Sequence, residues 1–345
     1  MKIGLPTLQL SIFLICNFVS SQTSIEKIQE SLLYTTPPFE ECHASTIVEL
    51  SNGVFIAASF GGTREGNKDV SIWLSKYENS QWQPPLKIAT GQSEDGLLYP
   101  NWNPVLYKIN SEELYLFYKT GPSPRSWWGM YKKSTDNGVS WSRSQRLPNG
   151  ILGPIKNKPI TLDNGTILSP SSTETRTSKG LSWKIHVEKS EDQGSSWEKI
   201  EIDPYTSFDV IQPSILVHSQ QKLQLLCRSR NDTLMQAFSL DGGNSWSKVT
   251  KTKLPNPNSG TDAITLHNGK HVLVYNPTTK GKNDRAKLAM AVSEDGLEWE
   301  NILTLEDHKK GEFSYPALIQ ANNGNLHLTY TFNRKNIKHL VFKID

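Results

Sequence analysis

Apolar positions in this chain fall in short runs rather than helical stripes. "LYLFY", "TILSP", "LQLLC", "HVLVY" and "LHLTYTF" are strand-length segments in which apolar residues alternate or run together. That pattern predicts strands buried on one or both faces. Pro and Gly recur between the runs, and no long amphipathic helical pattern interrupts them. The expectation is an all-β chain.

A repeated turn organises these strands. "STDNGVSW" ends at Trp141, "SEDQGSSW" at Trp197 and "SLDGGNSW" at Trp246, all fitting S-x-D-x-G-x-x-W. "SEDGLEW", ending at Trp299, is one residue shorter, and "SKYENSQW", ending at Trp82, keeps only the serine and tryptophan. The tryptophans lie 59, 56, 49 and 53 residues apart. In each turn the aspartates Asp136, Asp192, Asp241 and Asp295 are expected to accept backbone N–H bonds. The glycine takes positive φ, and the tryptophan folds back on the sheet. Chance Asp-Gly turns would not recur at this spacing. Repeats near 50 residues, each with about four short strands, predict a six-bladed β-propeller. Five blades carry the turn; the sixth is expected from the C-terminal strands, closed by the segment after the leader.

Composition adds limits. Of 345 residues, 36% are hydrophobic and 21% charged, enough for a large core. The opening "MKIGLPTLQLSIFLICNFVSSQ" has a basic start, a short apolar run and a small-residue exit, as in a secretory signal cut near Ser21. The expectation is therefore a signal over 1–21, a single propeller domain over 22–345, and a secreted or periplasmic, monomeric protein. No other segment approaches a membrane span. The net charge of +3 is dispersed, which argues against nucleic acid as a partner. Beyond the leader only Cys42 and Cys227 remain, too few for a disulfide scaffold or a cysteine metal site. No cofactor-binding or metal-binding motif is present, and none is expected.

The repeated turn is the Asp-box, or BNR repeat, and the chain resembles the sialidase (neuraminidase) superfamily of six-bladed propellers over nearly its whole mature length. The turns say little about function, since in that family they lie away from the catalytic face. The intervening segments carry more. The family uses three arginines for a substrate carboxylate, an aspartate acid/base, and a tyrosine nucleophile paired with a glutamate. In "GGTREGNKDVSIWLSKYENSQW" the resemblance places Arg64 and the acid/base Asp69. "LQLLCRSR" supplies Arg228, "NDRAKLAMAVSEDGLEW" supplies Arg285, and "EFSYPALIQ" places Tyr315 as nucleophile. Two positions depart from the pattern. His43 or Cys42 stands where the first arginine is expected, and Gln212 stands at the glutamate position. The pattern is closer to the broad group described as predicted neuraminidases than to a true sialidase.

The departures shape the expected chemistry. Gln212 offers Tyr315 a hydrogen bond but no base, and His43 cannot make the bidentate fork of a guanidinium. Sialic acid is thus disfavoured as substrate relative to another acidic or deoxy terminal sugar. Further segments read as walls of one propeller mouth because aromatic faces beside polar groups suit sugar rings. They are Trp102 and Asn103; Lys119, Arg125, Trp127 and Trp128; Lys156, Asn157 and Lys158; Glu174 and Trp183; and Asn256, Asn258 and Asp262. Glu65 is set aside in favour of Asp69. For each there is a plainer role: turn capping for Asp69, a buried ion pair for Arg228, packing for Tyr315, Trp127 and Trp128, a core histidine for His43. Three readings stay open: an exo-acting glycosidase, a lyase or rhamnosidase-type enzyme acting on uronate-containing polysaccharide, and a non-catalytic glycan-binding propeller.

Overall fold

The computed structural model describes residues 24–51, 53–93, 96–110, 112–178 and 180–344; the signal expected over 1–21 lies outside them. Six antiparallel sheets follow one another along the chain as the blades of a propeller. From the inside outwards, blade 1 runs Glu41–Ser51, Val54–Gly62 and Ser71–Glu78, with Gln81–Trp82 and Leu86–Ala89 both paired to the third strand. Blade 2 comprises Asn101–Lys108, Leu114–Thr120, Trp128–Ser134 and Gln145–Arg146. Blade 3 comprises Ile160–Thr161, Ile167–Thr177, Gly180–Ser190 and Glu198–Glu201. Blade 4 comprises Val210–Val217, Leu223–Ser229, Thr233–Ser239 and Thr250–Pro255, and blade 5 Asp262–Thr265, His271–Tyr275, Lys287–Ser293 and Glu300–Asp307.

Blade 6 closes the ring. Phe313–Gln320, Leu326–Phe332 and Asn336–Ile344 receive the N-terminal strand Ile25–Leu32 as their outermost member, in register from Ile25 opposite Ile344 to Leu32 opposite Lys338. Joining the chain ends in one sheet leaves no gap between first and last blades. This is the closure expected from the repeat.

Each sheet buries both faces, which explains apolar runs without strict alternation. Six apolar clusters fill the six seams. Ile56 and Leu74 meet Leu106 and Leu116 between blades 1 and 2, for example, and Leu216 and Leu226 meet Leu273 and Ala291 between blades 4 and 5. The repeated turns cap these seams. In the second blade Ser140 N donates to Asp136 Oδ1 (2.8 Å), Gly138 N to Ser134 Oγ (2.8 Å) and Trp141 Nε1 to Gly138 O (3.2 Å). The turns ending at Trp197 and Trp246 repeat these bonds, and the shorter one at Trp299 keeps the serine, glycine and tryptophan contacts. Gly138 has φ +79°, and a Cβ there would lie 2.2 Å from Ile56 Cδ1 of the preceding blade. Glycine is thus required by both conformation and space.

These turns follow the third strands. The starts of the inner strands and the second-to-third-strand hairpins lie at the opposite end, which is the mouth.

Candidate functional site

Inner strands in four blades carry a β-bulge near their start. Pairing slips between His43 and Thr46, Trp102 and Val105, Ile211 and Ser214, and Ser314 and Ala317. Within these bulges Ala44, Asn103, Gln212 and Tyr315 adopt φ of +55°, +39°, +55° and +53°; Lys156 before the inner strand of blade 3 has +71°. A bulge places two residues opposite one and re-aims a side chain. Left-handed backbone at non-glycine residues is uncommon, and its recurrence around one ring marks the mouth as a built site.

Arg228, from the second strand of blade 4, holds the centre. Its Nη1 donates to the Tyr315 phenol oxygen (2.5 Å) and to Gln212 Oε1 (3.1 Å), and its Nε donates to Asn258 Oδ1 (2.9 Å). Arg285 donates to Asn258 O (2.9 Å) and pairs with Glu312 (3.0 Å). Both guanidinium carbons lie near the Tyr315 ring, 5.6 and 5.7 Å from its centroid. The Tyr315, Gln212, Arg228 and Arg285 positions given by the resemblance therefore converge.

A further arginine, which the sequence reading did not assign, completes the cluster. Arg334 lies in the hairpin turn of blade 6, where it and Asn333 are both left-handed. Its Nε bonds Glu312 (2.8 Å), Nη1 bonds Glu65, and Nη2 lies 3.5 Å from His43 Nε2. Glu312 bridges Arg285 and Arg334. Burial pulls its carboxyl upward, but the bond from Arg334 and the charges of both arginines outweigh that and hold it below the usual range. A guanidinium thus stands beside the histidine that replaces the family's first arginine. No repeat places Arg334, so only its neighbours reveal it.

His43 is buried, its ring centroid 4.1 Å from that of Tyr315. Burial, reinforced by Arg334, Arg285, Arg228 and Lys156, pushes it well below an ordinary histidine, so the imidazole is neutral. With Nε2 facing an arginine N–H, the proton belongs on Nδ1, and Nδ1 is buried without a hydrogen-bond partner. Below it, Lys156 Nζ donates to Asn157 Oδ1 (2.8 Å), Thr261 O (2.6 Å) and Pro316 O (2.5 Å), tying blades 3, 5 and 6 together under Tyr315. Burial brings this amine down to about 7. Asn157 Nδ2 bonds Gln212 O (3.0 Å), fixing the neighbouring bulge.

Walls come from the hairpins. Blade 3 has the longest, with Glu174 opposite Trp183. Trp183 Nε1 donates to Glu174 (3.0 Å), and Arg228 and Arg230 lie 5.3 and 5.4 Å from the Trp183 ring. Burial raises the Glu174 carboxyl above its ordinary value despite Arg228 nearby. Trp102 bonds Gly121 O (3.2 Å) and meets Trp127 at 6.0 Å.

Arg64 and Asp69 stay at the rim. Both are exposed on the blade 1 hairpin, and Asp69 Oδ2 accepts from Thr63 N and Thr63 Oγ1, each at 2.7 Å. The little burial present raises its pKa, but the Thr63 bonds win and keep Asp69 ionised. Glu65, set aside above, is the hairpin carboxylate that reaches the cluster, through Arg334.

Other expectations need correction. Lys119 is fully buried, bonded to Pro154 O (2.9 Å), with burial lowering it to about 7; it is not a wall of the mouth. Asp262 is buried in the inner-strand ring, its Oδ2 accepting from Lys158 (2.6 Å) and Leu318 N (2.7 Å) and its Oδ1 from Ser214 Oγ (3.4 Å), so it is a structural carboxylate and not a wall of the mouth. Asn256 closes its own loop onto Ser259. Asn103 is buried in its bulge. Trp128 points away from Trp127, toward Tyr99. Cys42 and Cys227 are both free and buried, in blades 1 and 4.

The architecture and the tyrosine–arginine centre define a sialidase-like six-bladed propeller. Solved structures agree on the fold. A protein of unknown function from Dyadobacter fermentans superposes with TM-score 0.76 at 16% identity, covering 93% of this chain and 99% of that one. Trypanosoma rangeli sialidase gives 0.68 at 15% identity over 88% of this chain and 54% of its own. The leech intramolecular trans-sialidase complexed with 2,7-anhydro-Neu5Ac gives 0.65 at 14%, over 91% and 70%. By sequence, residues 53–328 match the BNR repeat-like domain, and the chain belongs to that family. It is also 22% identical over 244 residues to an anhydrosialidase of Macrobdella decora, covering 62% of this chain and 31% of that protein, so it spans under a third of that relative's length.

Proposed function

We propose that this protein is an exported glycosidase that removes a terminal acidic sugar from a glycan. The observation that carries the reading is the 2.5 Å bond from Arg228 to the Tyr315 phenol oxygen inside a ring of three arginines. Charge developing on that oxygen during attack faces a guanidinium, and Arg285 and Arg334 offer further donors to a substrate carboxylate. Tyr315 attacks the anomeric carbon as its phenol proton passes to solvent, the glycosidic bond breaks, and the leaving oxygen takes a proton from Asp69; the Asp69 carboxylate then takes a proton from the water that displaces Tyr315, whose phenoxide regains its proton from solvent. For this Asp69 releases Thr63, turns over the mouth and enters the complex protonated. Gln212 orients Arg228 without acting as base, and water then releases the sugar.

Product release from acidic and neutral oligosaccharides, with Tyr315→Phe and Asp69→Asn alongside wild type, tests this. Loss of turnover in both variants with folding intact is expected. Wild-type turnover by Tyr315→Phe removes the nucleophile assignment.

His43 favours a second reading. A buried neutral imidazole against Tyr315 suits proton abstraction from a uronate, which is elimination rather than hydrolysis. Ultraviolet absorbance of an unsaturated uronate product separates the two.

A further inference from the structure

Between the outer strands of blades 1 and 2 a cleft opens beside the mouth. Its upper part, about 480 Å³, is lined by Tyr99, Thr120, Trp128, Ser144 and Arg146; its lower part, about 580 Å³, by Lys87, Lys132, Arg143 and Ser144. Thr90, Gln92 and Ser93 line both, so the two parts are continuous.

Three observations indicate what the cleft takes. First, its upper end is aromatic: Tyr99 and Trp128 meet edge to face at 5.3 Å, and Arg146 lies 5.1 Å from the Trp128 ring centroid. Such a platform beside Thr and Ser hydroxyls suits a pyranose, whose C–H face stacks while its edge hydrogen-bonds. Second, the cleft is basic. Lys87, Lys132, Arg143 and Arg146 line it, no described lining residue is acidic, and none of the four forms an ion pair among the described residues. Like charges gathered along one wall repel one another and favour an anionic occupant, although Lys87 also acts on the Asp69 carboxylate. Third, the cleft adjoins the mouth. Trp127 faces Trp102 at the mouth while the next residue, Trp128, faces Tyr99 in the cleft.

We propose that this cleft binds the sugars on the leaving-group side of the scissile bond, and that these sugars are acidic: Tyr99 and Trp128 stack on their rings, and Lys87, Lys132, Arg143 and Arg146 face their carboxylates or sulfates. The substrate is then a polyanionic glycan whose terminal residue sits at Arg228 and whose next residues run outward between blades 1 and 2. This rests on the glycan-acting reading of the mouth, and it adds a second, distinct binding surface.

Calorimetric titration with a hexa-oligogalacturonate, a sulfated carrageenan hexasaccharide and neutral cellohexaose tests it, using wild type, Trp128→Ala, the pair Arg143→Gln with Arg146→Gln, and Lys253→Gln. At least one acidic probe is expected to bind wild type more tightly than cellohexaose, and to weaken with added salt. Each cleft variant is expected to weaken that probe about tenfold, with Lys253→Gln, an exposed position on the outer strand of blade 4, unchanged. Which acidic probe prevails tells carboxylate from sulfate. Equal binding of neutral and acidic probes, binding of neither acidic probe, or cleft variants equal to wild type would overturn the proposal. If the cleft binds as expected while no substrate is turned over, the cleft stands and the catalytic reading falls. Turnover of long acidic chains with cleft variants at wild-type kcat/KM does the reverse.

Discussion

Arg228 is the residue on which the site depends, because one guanidinium touches Tyr315, Gln212 and Asn258. Lysine carries the same charge but lacks the planar fork, so it cannot make these bonds together. Arg228→Lys is expected to lower kcat by about 100-fold or more, the scale of losing a preorganised charged donor. Arg334, held by Glu312 and standing beside His43, is a binding contact for the substrate carboxylate. Arg334→Gln is expected to raise KM about tenfold with little change in kcat, as for a contact equally present in ground and transition states. Steady-state kinetics on an acidic oligosaccharide checks both; an Arg334→Gln variant that loses kcat alone would place Arg334 in the chemical step instead. Tyr315, Arg228, Arg285 and Gln212 were legible because the stretches around them resemble the sialidase pattern. Arg334 and Glu65 were not, because a hairpin arginine and its partner carboxylate lie 269 positions apart and belong to no motif.

At the level of elements, the turn and the bulge divide the work. The turns cap the seams at one end, and the bulges aim side chains at the other. Gly138 shows how tight the first device is, with φ +79° and Ile56 of the preceding blade in the way of any Cβ. Gly138→Ala is expected to cost about 1–3 kcal/mol, from backbone strain plus overpacking. Urea unfolding measures it; an unchanged midpoint would mean that blade 1 yields there. The bulges were only half visible beforehand. Asn103-Pro104, Gln212-Pro213 and Tyr315-Pro316 repeat a polar or aromatic residue before proline at the start of inner strands, a second periodic signal in the chain. A lone X-Pro pair says only that the chain is extended or turning, so the bulge itself is set by tertiary pairing.

The whole molecule shows how burial of charge sets pH behaviour. Lys119 and Lys156 are brought to about 7 by burial, against roughly 10.4 in an unfolded chain. Between those values the unfolded chain holds more protons, so stability rises with pH from about 7 toward 10. Tyr107 and Tyr118 are pushed by burial to about 12, so above about 10 the unfolded chain loses protons first and stability falls again. On the acid side burial lowers His271 and His327 to about 4 and His339 to about 3, beneath the unfolded value of about 6.5. Protonation of the unfolded chain there makes stability fall as pH drops from about 6.5 toward 4. Unfolding midpoints across pH are thus expected to peak in the alkaline range, and Lys119→Met to flatten the rise above 7. A rise of equal size in that variant would assign it to other groups.

Resemblance to the sialidases supplied the tyrosine–arginine pair, while the pattern of the chain alone carried the blade count, the positions of the capping turns and the N-terminal closure. These follow from local rules: strand periodicity, turn hydrogen bonds and a repeat that recurs every fifty residues or so. Which charges meet depends on how the blades close around the axis. Lys119 and Asp262 carry the same chemistry as mouth residues, yet one is sunk beneath blade 2 and the other locked to Lys158 and Leu318. Arg334 and Glu312, unmarked in the chain, stand beside His43 and Arg285. Side-chain electrostatics depend on distance and burial across blades, and closing the ring sets both for residues hundreds of positions apart.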